Sequence, residues 1–133
     1  MSEMQSRHMS VVIPAPAAEV YAFAADPANL PTWAAGLAAG VRREGDALVA
    51  ASPMGEVIVR FAPPNQYGIL DHDVTLPDGT VVANPLRVTG HPDGSEVVFT
   101  VRQRDLTEDE FTADCMAVER DLVALRAAVT GLV

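Results

Sequence analysis

The C-terminal stretch limits the possible folds more than any other part of the chain. Phe111, Cys115, Val118, Leu122, Leu125, Val129 and Leu132 recur at spacings of four and three. On a helix they form one apolar stripe about six turns long. Thr107 stands three residues before Glu110, the spacing of a capping box, and Glu108 and Asp109 add negative charge where a helix N-terminus favours it. A lone helix with such a stripe must bury it on another layer. The preceding residues supply that layer, because from Gly40 onward the hydrophobic period is two.

Val41 to Glu44 and Leu48 to Ser52 read as strands joined at Gly45-Asp46. Val57, Val59 and Phe61 alternate with Glu56, Ile58 and Arg60, and Pro63-Pro64 ends that strand. Tyr67 to Leu76 and Thr80 to Thr89 flank Pro77-Asp78-Gly79, a strong hairpin signal. Pro85 cannot donate to a ladder, so a bulge or an unpaired edge is expected there. His91-Pro92-Asp93-Gly94 is the next loop, and Glu96 to Gln103 returns. Upstream, Met1 to His8 reads as a polar tail and Met9 to Ile13 as a strand. Ala17 to Ala25 reads as a short helix with Val20, Phe23 and Ala24 on one face. Asp26-Pro27 opens a second short helix that carries Leu30 and Trp33 and ends near Gly36. A six-strand sheet curls as it twists, and a helix can lie in its concave side. The expected class is α+β: a curved antiparallel sheet and two short helices around one long C-terminal helix.

A chain of 133 residues fits one domain, residues 1–133, and needs no disulfide or structural metal to fold. The 49% apolar fraction is rich in alanine and only 5% of residues are aromatic, so a wide sheet could keep unfilled space. The net charge of -9 disfavours nucleic acid and anionic membrane surfaces. Cys115 is the sole cysteine, and neither a signal peptide nor a membrane-spanning run is legible. A reduced, cytoplasmic location is expected.

Strand parity predicts the covered face. Leu70, Val74 and Leu76 share a face with His72; Val82, Leu86 and Val88 with Asn84; Val97, Phe99 and Val101 with Gln103. If Leu76 opposes Thr80, then His72 opposes Asn84 and Leu70 opposes Leu86. If Gly90 opposes Ser95, then Asn84 opposes Val101 and Val82 opposes Gln103. Three polar groups on an apolar concave wall match a ligand site, although each could instead satisfy a local backbone group. His72 has the pKa class of a general base, but Asp71 and Asp73 point to the opposite face, where they read as solvated. Cys115 on the covered stripe reads as a small core residue more readily than as a nucleophile paired with His72. Trp33 either caps one cavity end or staples its helix to the sheet. His8, His72 and His91 are scattered, so no metal site is expected.

These elements carry a resemblance. Ile13-Pro14-Ala15-Pro16-Ala17-Ala18-Glu19-Val20-Tyr21-Ala22-Phe23, the Asp26-to-Trp33 segment and the terminal helix with Val118, Leu122 and Leu125 resemble the SRPBCC superfamily. This is the START-like or polyketide-cyclase-like helix-grip fold. Gly68-Ile69-Leu70-Asp71-His72 and Leu76-Pro77-Asp78-Gly79-Thr80 are similar to small cyclase-like bacterial members. The resemblance implies a cavity between sheet and helix but carries over no catalytic residue. The leading expectation is a carrier or sensor of a small hydrophobic or aromatic ligand near Trp33, Phe61, His72, Asn84, Leu86, Phe99, Gln103, Phe111 and Cys115. The alternatives are a cyclase or dehydratase-like enzyme using the same cavity and a protein-binding module. No cofactor is expected, and a homodimer is left open.

Overall fold

A computed structural model describes residues 3–37 and 39–131. It is a helix-grip fold. The strands are β1 (Ser6–Ile13), β2 (Val41–Glu44), β3 (Ala47–Ser52), β4 (Gly55–Phe61), β5 (His72–Thr75), β6 (Val81–Asn84), β7 (Leu86–His91) and β8 (Gly94–Arg102). The helices are α1 (Ala17–Ala25), α2 (Leu30–Trp33) and α3 (Glu108–Thr130). No helix among the described residues is long and apolar enough to cross a membrane.

The polar start of the chain is not all tail: β1 begins at Ser6 and pairs Ser6 with Arg102. Alternation explains the extension, since Arg7, Met9, Val11 and Ile13 share the inner face and even the arginine is half-buried there.

All strand pairs are antiparallel, in two ladders, β1-β8-β7 and β2-β3-β4-β5-β6. Pro85 divides them. The expected strand Thr80 to Thr89 is therefore two strands, β6 and β7, because Pro85 has no N–H to continue the pairing. Thr100 N–H still donates to Pro85 O at 3.0 Å. The expected strand Tyr67 to Leu76 is regular only over β5. Its first half bridges β7 through the Ile69–Arg87 pair, with Leu70 N–H donating to Leu86 O and Val88 N–H to Gly68 O. Gly68 is required here: its φ is +73°, and an added Cβ would stand 2.0 Å from Val88 O.

Asp71 fastens the kink. Its carboxylate accepts from the buried Leu86 N–H and from two guanidinium nitrogens of Arg87. This corrects the expectation that Asp71 is merely solvated.

The β7–β8 turn is the two residues Pro92-Asp93, shorter than the four-residue loop expected, because pairing continues to His91 and Gly94. The capping box forms at α3: Glu110 N–H donates to Thr107 Oγ1, and Thr107 N–H donates to Glu110 Oε1. Gly131 ends the helix in the left-handed conformation. Phe111, Cys115, Leu122 and Leu125 of the stripe are buried, whereas Val118 and Val129 are half-buried. Leu132 lies outside the described residues. α3 packs chiefly on β1 and β8 and against α2. The inner face of β5 and β6 is thereby left only partly covered.

Candidate functional site

Register converts the concave face into rows of side chains, because directly opposed residues share a face. One row runs Arg43, Leu48, Val59, Val74, Val82 from β2 to β6. The next is Phe61, His72, Asn84. A third joins Leu70, Leu86, Phe99 and Met9. Leu48, Val59, Leu70 and Leu86 are buried, but Val74, Val82, His72 and Asn84 are half-buried although they point inward. An apolar wall that stays partly open is the geometric basis of a pocket.

The site is open at two places. A cavity of about 400 Å³ lies between α1 and β3–β4, with Tyr21, Leu48, Val59, Phe61 and Leu70 in its lining. A smaller one of about 160 Å³ is bordered by Val82, Asn84, Val101 and Asp114.

His72 stands between two aromatic rings, 4.7 Å from the Phe61 centroid and 5.7 Å, edge to face, from that of Phe99. Its Nδ1 lies 2.9 Å from Leu70 O. A carbonyl only accepts, so Nδ1 carries the proton and the neutral ring presents Nε2 as a lone pair. Burial pushes the imidazole pKa down, against the Leu70 carbonyl and the nearby Asp71 and Asp73 charges that raise it. The neutral ring suits an apolar surround, and it can accept one hydrogen bond from a ligand.

Phe61, His72, Asn84, Leu86 and Phe99 form one contiguous wall. Asn84 opposes His72 in the expected register and bonds its own strand, Nδ2 to Val82 O at 3.3 Å. The β8 pairing holds at Gly90–Ser95 but stops at Leu86–Phe99, so the ladder does not continue to Asn84–Val101 or Val82–Gln103. Gln103 lies beyond β8; its backbone N–H donates to Gln5 O and its side chain to Leu106 O, a local closing role. Phe111 and Cys115 pack in a second cluster with Val101, and Phe99 touches both clusters. Trp33 lies in the main core with Leu122 and Leu125. Its Nε1 is the one buried side-chain nitrogen or oxygen without a partner among the described residues.

Sequence parity missed several groups. Arg7 closes the α3 N-terminal end: its guanidinium lies 4.6 Å from the Phe111 ring centroid and donates to Glu108 at 2.8 Å and to Thr112 at 3.2 Å. Alternation with Met9 and Val11 would have found it had the strand been started earlier. Arg43 and Tyr21 border the larger cavity, and the Arg43–Leu48 pairing follows from the short Gly45-Asp46 turn. Among the described residues no three His, Cys, Asp or Glu side chains converge to hold a metal.

A family described as polyketide cyclase / dehydrase and lipid transport matches residues 4–132. No curated protein sequence matches the chain. The solved structures similar to it include the protein XoxI from Bacillus cereus, at 16% identity and a TM-score of 0.71 over 98% of both chains. Ara h 8.0201 is similar at 13% identity and a TM-score of 0.65, over 97% of this chain and 99% of the other. DynU16, a protein of the dynemicin biosynthetic locus, reaches a TM-score of 0.73 at 16% identity over 95% of this chain, which spans about half of DynU16 (48%). At these identities the likeness is one of fold.

Proposed function

Because the chain belongs to the polyketide cyclase / dehydrase and lipid transport family, we propose that it binds a small hydrophobic or aromatic ligand on its concave face, as a carrier or sensor. One observation carries the reading: the inward side chains of β5 and β6, Val74 and Val82 beside His72 and Asn84, are half-buried, since α3 covers β1 and β8 instead. Phe61 and Phe99 offer aromatic surface, and His72 Nε2 and the Asn84 amide offer polar contacts to orient the ligand. Leu86 completes the wall, Phe111 and Cys115 of α3 pack in the neighbouring cluster that Phe99 also touches, and Trp33 and Gln103 stand outside the wall.

A second reading, a cyclase or dehydratase-like enzyme, has one observation in its favour. The neutral His72, oriented by Leu70 O, could take a proton at Nε2 from a substrate held between Phe61 and Phe99. DynU16 comes from a biosynthetic locus and shares the fold, which is compatible with either reading.

The test is uptake of Nile red, a neutral apolar fluorophore, by the wild type and by Val82→Trp, which fills the half-buried wall. Saturable binding that Val82→Trp abolishes, with its melting transition retained, supports the pocket. Absence of binding, or binding indifferent to Val82→Trp, refutes it.

A further inference from the structure

Six polar side chains project from strands onto the concave face: Arg7, Arg43, Ser52, His72, Asn84 and Ser95. Five of them bond the protein itself. Arg7 holds Glu108 and Thr112, Ser52 donates to Gly55 O, Ser95 to Ile13 O, His72 to Leu70 O and Asn84 to Val82 O. Arg43 makes no hydrogen bond or ion pair among the described residues. Its neighbour Arg42, which projects from the opposite face of β2, is paired with both Glu44 and Glu56. The exposed Arg43 guanidinium, unpaired among the described residues, sits at the end of the row Leu48, Val59, Val74, Val82, at the solvent-facing mouth of the 400 Å³ cavity.

Two more features of that mouth bear on charge. Arg60 and Asp46 also border it, so its three charged residues carry one net positive charge in a chain whose total is -9. The Tyr21 hydroxyl accepts from Asn65 N–H at 3.0 Å, and its own proton has no acceptor among the described residues.

We propose that the ligand of this cavity is an apolar monocarboxylate, its hydrocarbon body laid over Leu48, Val59 and Phe61 and its carboxylate received by Arg43, with the Tyr21 hydroxyl as a second donor. The assignment rests on the reading that the concave face holds an apolar ligand, and it specifies the headgroup. A planar guanidinium offers a carboxylate two parallel hydrogen bonds, whereas an alcohol or hydrocarbon gains nothing from it.

Calorimetric titration of decanoate and of decan-1-ol separates the two claims. Wild-type protein should bind decanoate up to about fivefold more tightly than the alcohol, the range of a solvent-exposed ion pair. Arg43→Gln should bring decanoate to the level of the alcohol and leave the alcohol unchanged. Arg42→Gln removes the same charge from the outer face and should change neither. Equal affinities that Arg43→Gln does not alter would overturn the carboxylate assignment while the apolar pocket stands. Failure of both compounds to bind would overturn the assignment and the pocket together.

Discussion

Replacing Asp71 with alanine should weaken the fold much more than removing the arginine that faces it. Asp71 Oδ1 accepts from Leu86 N–H at 2.9 Å and from Arg87 Nε at 2.8 Å, and Oδ2 accepts from Arg87 Nη2 at 2.7 Å. Leu86 is buried, so the alanine variant orphans its N–H, which costs about 1–3 kcal/mol. The Arg87 arm is exposed and screened by solvent, and such a pair contributes about 0–1 kcal/mol. Asp71→Ala should therefore lose about 1–4 kcal/mol, and Arg87→Met no more than about 1 kcal/mol. The Arg87 hydrogen bonds, and after them the Leu86 N–H, hold the Asp71 carboxyl below the usual carboxylate range. A depressed folded pKa means that this stability is present above the unfolded pKa of about 3.9 and is lost as pH falls through the folded value. Urea unfolding of the three proteins at pH 7 and at pH 3 measures both effects. The alanine deficit should be large at pH 7 and smaller at pH 3. Equal losses for the two variants at pH 7 would refute the idea that Asp71 acts through the Leu86 N–H at the Pro85 kink.

Three further outcomes are expected. Leu122→Ala, at a fully buried position of the α3 stripe, should cost about 2–5 kcal/mol by denaturant unfolding, since it opens a cavity in the main core. Gly68→Ala should lower the thermal midpoint sharply, because both the positive φ and the Val88 carbonyl oppose a Cβ; an unchanged midpoint would contradict that close approach. His72 has a lowered folded pKa, so its contribution should be complete above the unfolded pKa of about 6.5 and decline as pH drops below it. His72→Phe should flatten the stability profile between pH 7 and pH 5, and an unaltered slope there would sink the assignment of a neutral imidazole.

The gripping helix was legible because its stripe and its N-terminal capping box agree, and local and tertiary preferences coincide there. The His72–Asn84 pairing was equally legible: Pro77-Asp78-Gly79 sets the register, and strand parity does the rest. Pro85 announced a disturbance, but its size depended on Asp71 reaching the Leu86 N–H, a contact that alternation cannot foresee. Arg7 was hidden because a charged residue early in the chain reads as tail, although its long stem lies along the inner face and its head finds Glu108. Gln103 was placed on the wall by parity, but the ladder stops at Pro85, and its amide closes a turn instead. Which part of the concave face α3 leaves uncovered was not written in any local pattern. It follows from how the helix leans toward β1 and β8.

Methyl and aromatic NMR shifts during a Nile red titration report directly on a ligand seated on the concave face of β4–β6. The largest changes should fall at Val59, Phe61, His72, Val74 and Val82. Changes centred on the exposed Met116 and Val123 of α3, with the concave residues unmoved, would contradict that placement.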